Sequence, residues 1–162
     1  MSDRYPDAVA DEFPPPPAAF TDGEGRDIEI RAYEGADPGR EALVEMYDAF
    51  DPADRAQGIP PGGEERIREW LDAILGAECY NVIAWRGDEA AGHATLVPDD
   101  DAYELAIFVH QTYQRAGVGT RLIRALLGHG QADDVEKVWL TVERWNRAAV
   151  SLYKKIGFET SD

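Results

Sequence analysis

Between residues 102 and 120 the sequence runs AYELAIFVHQTYQRAGVGT. An apolar strand pattern leads into Gln114-Arg115-Ala116-Gly117-Val118-Gly119, and an amphipathic helical pattern follows at once. A strand, a glycine turn and a helix start, in that order, make an anion-binding device. Glycines let the backbone come close to the ligand, and the first N–H groups of a helix have no acceptor of their own. Such a device narrows the ligand to something phosphorylated.

Two familiar phosphate-binding patterns do not fit. A P-loop needs Gly-Lys-Ser/Thr, and none follows these glycines. The dinucleotide fingerprint nearly fits, with Glu143 about where a ribose-binding acid belongs, but Leu122 stands in place of the third glycine. That fold also opens with its phosphate unit, whereas here three predicted strands come first.

The elements that must position this turn follow from periodicity. Ile28, Ile30 and Ala32 alternate with charged residues and predict a strand over 27–34. Asp37-Pro38 predicts a capped helix start, and Leu43, Met46, Tyr47 and Phe50 its apolar face. After a Pro/Gly-rich loop over 51–63, Ile67, Trp70, Leu71, Ile74 and Leu75 mark a second helix. Strands over 80–86, 90–97 and 102–109, joined by turn-type residues, predict an antiparallel meander. A third helix is expected over 117–127, a strand over 135–142, and a last helix from Asn146 to a glycine cap at Gly157. The order β-α-α-β-β-β-α-β-α predicts a single α/β domain over 26–162, with one mixed central sheet flanked by helices. Residues 1–25, with four consecutive prolines and no period, read as an extended or disordered arm.

From Ile28 to Phe158 the chain resembles the GNAT superfamily of acyl-CoA-dependent N-acyltransferases. The residues that carry the likeness are Gln114-x-x-Gly117-x-Gly119 with Leu122-Ile123, and the more specific stretch from Asn146 through Ala149, Leu152-Tyr153 and Lys155 to Gly157-Phe158. The resemblance implies that backbone amides of Gln114, Arg115, Ala116, Gly117, Val118, Gly119 and Thr120 hold the diphosphate of acetyl-CoA. It implies that main-chain groups of Phe108, Val109 and His110 pair with the pantetheine arm like an added strand. The Asn146 side chain would bond the same arm, and Arg115 or Arg121 would assist a phosphate. The chain stops at Asp162, where GNAT domains usually add one or two strands; a neighbouring subunit completing the sheet, as in a homodimer, is one expectation.

The chemistry so implied is direct transfer from thioester to amine. An ammonium of pKa about 10 is no nucleophile at neutral pH, so a base must take its proton. Glu104, a carboxylate among Leu105, Ile107 and Val109, is the candidate base; the same strand also resembles the one that carries the basic glutamate in GNAT protein-lysine acetyltransferases. Burial would raise its pKa and its basicity. Tyr153 is the candidate acid for the departing thiolate. Against these stand plainer readings: a core tyrosine, and a glutamate on a solvated strand face. The acceptor is open between protein lysine and a small amine. A non-catalytic acyl-CoA-sensing module is the alternative from another class, and a nucleotide-dependent oxidoreductase a third.

Composition bounds the rest. The chain has 162 residues, 44% hydrophobic, enough for one domain with its own core. No apolar run approaches the ~18 residues of a membrane span, and the first residues lack a signal-peptide pattern, so a cytoplasmic protein with no membrane partner is expected. Cys79 is the lone cysteine, and His93, His110 and His129 lack metal-ligand spacing, so no metal is expected. Net charge is −16, with three lysines in the whole chain, a composition like that of proteins from a salt-loaded, halophilic cytoplasm. Nucleic-acid binding is disfavoured. Eight basic and 26 acidic residues precede His110, giving −18, while eight basic and six acidic residues from there on give +2. The segment with the glycine turn has been spared the acidity, as an anionic ligand would require.

Overall fold

A computed structural model of the chain describes residues 2–4, 13–35, 38–50, 61–142 and 146–161. In chain order its elements are β1 (Ser2–Arg4), β2 (Ala18–Thr21), β3 (Asp27–Ala32), α1 (Gly39–Asp48), α2 (Glu64–Ile74), β4 (Tyr80–Arg86), β5 (Glu89–Asp99), β6 (Ala102–Val109), α3 (Val118–Gln131), β7 (Val138–Thr141), α4 (Arg147–Ile156) and β8 (Glu159–Ser161). The strands form one mixed sheet in the order β2-β3-β4-β5-β6-β7-β1-β8. The meander β4-β5-β6 is antiparallel throughout. Among the described residues the parallel contact, β6 with β7, comprises two residue pairs, Tyr103–Val138 and Glu104–Trp139. Beyond them the two strands part.

Side chains alternate across the sheet, so each face has its own apolar layer. On one face Leu43, Tyr47, Ile67 and Leu71 of α1 and α2 pack on Ile83 and Trp85. On the other, Leu122, Ile123 and Leu126 of α3 join Tyr153 and Ile156 of α4 over Ile28, Val82, Ala84, Leu96 and Leu105. Each fully buried Leu, Ile or Val among them contributes roughly 1.5–3 kcal/mol.

The arm expected over 1–25 needs correction. Ser2–Arg4 is a strand between β7 and β8, and Ala18–Thr21 pairs with β3. Strands of three or four residues are too short to show a period. Prolines cannot donate to a ladder, so residues 13–17, just before β2, pack instead. They cross α3, where Phe13 N–H donates to Gln131 Oε1 at 3.0 Å. A Cβ on Gly128 would lie 2.3 Å from the Pro14 carbonyl oxygen, so that crossing requires glycine. Residues 5–12 lie outside the described residues.

Other boundaries moved for local reasons. α3 runs on to Gln131 through Gly128 and Gly130. Val135 N–H then donates to Gly130 O, which ties it to the helix end and leaves a shorter β7. Pro38 stands at the cap position of α1; Asp37 and most of the loop over 51–63 lie outside the described residues. α4 ends at Gly157 with φ 125°, a conformation that glycine alone adopts without strain.

Candidate active site

The turn after β6 is built to present N–H groups. His110 Nδ1 accepts from Thr112 N–H and caps a short 3-10 turn, Gln111–Tyr113. Arg115 then takes φ 61° and Gly117 φ 87°, both left-handed. Nothing lies within 4 Å of a Cβ placed on Gly117, so conformation and not space selects glycine there. Val118, Gly119 and Thr120 form the first turn of α3, whose N–H groups have no intrahelical acceptor, and no side chain caps them. The dipole of a 14-residue helix adds to their positive end. Gly119 sits where β6 and α4 converge, with Ile107, Val109 and Leu152 in ordinary contact distance of its missing Cβ.

The edge of β6 left open by β7 is the second part. His110 N–H donates to Ala91 O on the β5 side, and Tyr103 N–H donates to Lys137 O on the β7 side. Main-chain groups of a strand point alternately to its two neighbours. Phe108 and His110 therefore address β5, and Ile107 and Val109 face the open edge. The resemblance implied main-chain pairing by Phe108, Val109 and His110; of the three, only Val109 turns its main-chain groups to the open edge. Its carbonyl already accepts from Gln114 Nε2 at 3.0 Å, so Gln114 ties the glycine turn to the strand edge.

Side-chain alternation places the two candidate proton carriers. Phe108 packs against Tyr47 and Trp70, on the α1–α2 face. Glu104, four residues back in an unbroken register, shares that face at the last pair before β6 and β7 part. Its side chain is exposed, contrary to the buried carboxylate expected. Its pKa is nevertheless raised, first by partial desolvation and then by the charge of Asp99. Tyr153 belongs to the opposite layer, 9% exposed, its ring 6.0 Å from that of Phe158. Burial alone pushes its phenol up to about 12. Glu104 and Tyr153 thus lie on opposite faces of the sheet, Glu104 at the last pair before β6 and β7 part.

Asn146 caps α4, with Oδ1 accepting from Ala149 N–H at 3.2 Å. With its oxygen engaged in the cap, the Asn146 side chain has its amide NH2 left to meet a ligand. Arg121 lies over the Phe20 ring at 4.9 Å, and Arg115 is exposed beside the turn. Glu143 lies outside the described residues. His93 is buried and hydrogen-bonded between Tyr47 and Asn81. Among the described residues no group of His, Cys, Asp and Glu is arranged to hold a metal, and no helix is long and apolar enough to cross a membrane. Sequence reasoning missed Asp22 and Arg26, which pack behind the glycine turn. The only local signal was turn composition, Asp22-Gly-Glu-Gly-Arg26, which does not say where the turn docks.

Residues 41–158 match the sequence profile of the Acetyltransferase (GNAT) family. Mycothiol acetyltransferase of Mycobacteroides abscessus is 34% identical over 124 residues, 73% of this chain and 37% of that protein. The ribosomal protein bS18-alanine N-acetyltransferase of Escherichia coli is 38% identical over 76 residues, 47% of this chain and 51% of that protein. The chain thus spans about half or less of the length of these relatives. Among solved structures, the GNAT domain of S. lividans PAT superposes with a TM-score of 0.72 at 14% identity, over 90% of this chain and 89% of that one, a likeness of fold. Glycine turn, open strand edge and profile match agree: the chain belongs to the GNAT family of acetyltransferases.

Proposed function

We propose that the chain transfers an acetyl group from acetyl-CoA to a primary amine in a ternary complex. What supports this reading is the end of β6–β7 pairing at Glu104, with an uncapped helix start after the β6 turn and Tyr153 in the α3–α4 layer on the opposite face of the sheet. The first-turn N–H groups of α3 take the diphosphate, and the main chain of Ile107 and Val109 takes the pantetheine arm. Glu104, directly or through one water, removes a proton from the acceptor ammonium. The amine nitrogen forms a bond to the thioester carbonyl carbon, and the carbon–sulfur bond breaks. The Tyr153 O–H donates to the departing sulfur, and the second proton leaving the nitrogen as the tetrahedral adduct collapses restores the Tyr153 hydroxyl through solvent, so the products are an amide and the CoA thiol. The acceptor is an amine of a protein or of a small molecule. One relative is named for an alanine of a ribosomal protein and another for mycothiol, so both classes belong in the screen.

The test is release of free thiol from acetyl-CoA by the purified protein, with lysine peptides, alanine-initiated peptides and small amines in parallel. Turnover with at least one amine, lost in Tyr153→Phe, is the expected result. Tight acetyl-CoA binding with no turnover on any amine would instead favour a sensing module.

A further inference from the structure

We infer that Asp22 and Arg26 are positioning residues for the coenzyme diphosphate: the turn between β2 and β3 clamps the glycine loop from behind and holds its N–H groups in their binding arrangement. This rests on the acetyl-CoA reading above.

The turn is rigid by itself. Asp22 N–H donates to Arg26 O at 2.9 Å, and Gly25 N–H to Asp22 O at 3.0 Å. The Asp22 carboxylate has no exposed side-chain surface. One of its oxygens accepts from the backbone N–H groups of Glu24 and Arg26, and the other from Arg26 Nε at 2.8 Å. Burial works against that charge, and hydrogen bonds from Arg26 and the Glu24 backbone outweigh it, so the carboxyl is held below its usual range. Asp22 therefore stays an anion around neutrality and fixes the Arg26 fork.

From this base three contacts reach the glycine loop. Arg26 Nη1 donates to Thr112 O at 3.0 Å. The guanidinium lies 4.3 Å from the Tyr113 ring centroid, in cation–π range. Gly23 N–H donates to Ala116 O at 2.9 Å, one residue before the left-handed Gly117. These contacts bracket the stretch from Thr112 to Ala116, which must hold Arg115 at a left-handed φ that an arginine rarely adopts. Arg26 Nη2 is buried without an acceptor among the described residues, which costs stability. An arginine selected only to stabilise the hairpin would not leave that donor idle, whereas one needed for its reach to Thr112 would tolerate it. Preorganised N–H groups bind an anion more tightly because their ordering is already complete when the ligand arrives.

The experiment compares two donors with one amine: acetyl-CoA, and S-acetyl-pantetheine, which has the same thioester and arm without the diphosphate. In Arg26→Met, KM for acetyl-CoA is expected to rise about tenfold, with kcat unchanged and kcat/KM for S-acetyl-pantetheine within about twofold of the parent. Equal losses on both donors would mean a general structural role and overturn the inference, as would an unchanged KM for acetyl-CoA. If Arg26→Met does not fold, Arg26→Lys decides by the same comparison. Its single ammonium keeps the charge but cannot serve both Asp22 and Thr112 in the fork geometry. A parent protein that shows no heat on titration with acetyl-CoA would defeat the coenzyme reading itself, a result that needs no variant.

Discussion

Tyr153 holds its proton across the physiological range, because burial pushes its phenol up to about 12. It can thus donate to a leaving sulfur but not act as a base at neutral pH. Tyr153→Phe should lower kcat by roughly 10²–10⁴-fold, the usual share of a general acid, with KM for acetyl-CoA little changed. Steady-state kinetics at saturating donor check this. Glu104 titrates in the opposite sense. It must be ionised to take a proton, and partial desolvation and Asp99 both raise its pKa. The acid limb of kcat/KM should therefore inflect above an ordinary glutamate. Asp99→Asn removes the charge that disfavours ionisation, so that inflection should move to lower pH; Glu104→Gln should abolish it. Both residues stand out in the sequence as candidates, Tyr153 through a specific motif and Glu104 as a carboxylate in an apolar run. The exposure of Glu104 is not legible there, because it depends on where β6 and β7 separate, which no local pattern encodes.

At the level of elements, what could be read was whatever carried a strong period. β4 and β6 fall on their expected residues, since alternation in a half-buried strand is self-evident. β1 and β2 were hidden because short strands are held by backbone pairing and by distant neighbours. The glycines of α3 misled in the same way: Gly128 weakens the helix locally but admits the segment at Phe13 and Pro14. Gly128→Ala should accordingly destabilise the full chain, although alanine is favoured by about 1 kcal/mol in a helix interior. In a chain lacking its first 14 residues the same substitution should become stabilising; melting of the four proteins tests this reversal. A buried hydrogen-bonded chain joins elements on the other face. Asn81 Nδ2 donates to Ile74 O, so its Oδ1 accepts from His93 Nε2–H, and Nδ1 accepts from the Tyr47 hydroxyl. Burial drives the His93 pKa down to about 3. The unfolded chain takes up this proton below about pH 6.5 and the folded chain does not. Stability is thus full above that pH and should fall on acidification by about 1.4 kcal/mol per unit. Denaturant melts between pH 7.5 and 5 should show the slope, and His93→Leu, less stable at neutrality, should lose this contribution.

For the whole molecule the deciding quantity is the separation of charge. Net charge is −16, with −18 on the first 109 residues and +2 on the rest. Like charges repel over a Debye length of about 10 Å at 0.1 M salt and about 3 Å at 1 M. The ion pairs that link α1 to α2, Arg68 with Glu41 and Arg40 with Asp72, are exposed and worth about 0–1 kcal/mol each, and salt weakens them. Repulsion summed over the surface outweighs them, so the melting temperature should rise from 0.1 to 1 M KCl. The same field opposes the approach of an anionic coenzyme. In the proposed site, attraction would come from N–H groups at the start of α3, which act at contact distance and are hardly screened. A site made chiefly of lysines and arginines binds anions more weakly as salt rises. Here salt removes long-range repulsion while the short-range attraction persists, so the dissociation constant for CoA should stay level or fall between 0.1 and 1 M KCl. Calorimetric titrations at three salt concentrations measure it, and a steep loss of affinity would mean that Arg115, Arg121 and their neighbours carry the binding instead of the backbone.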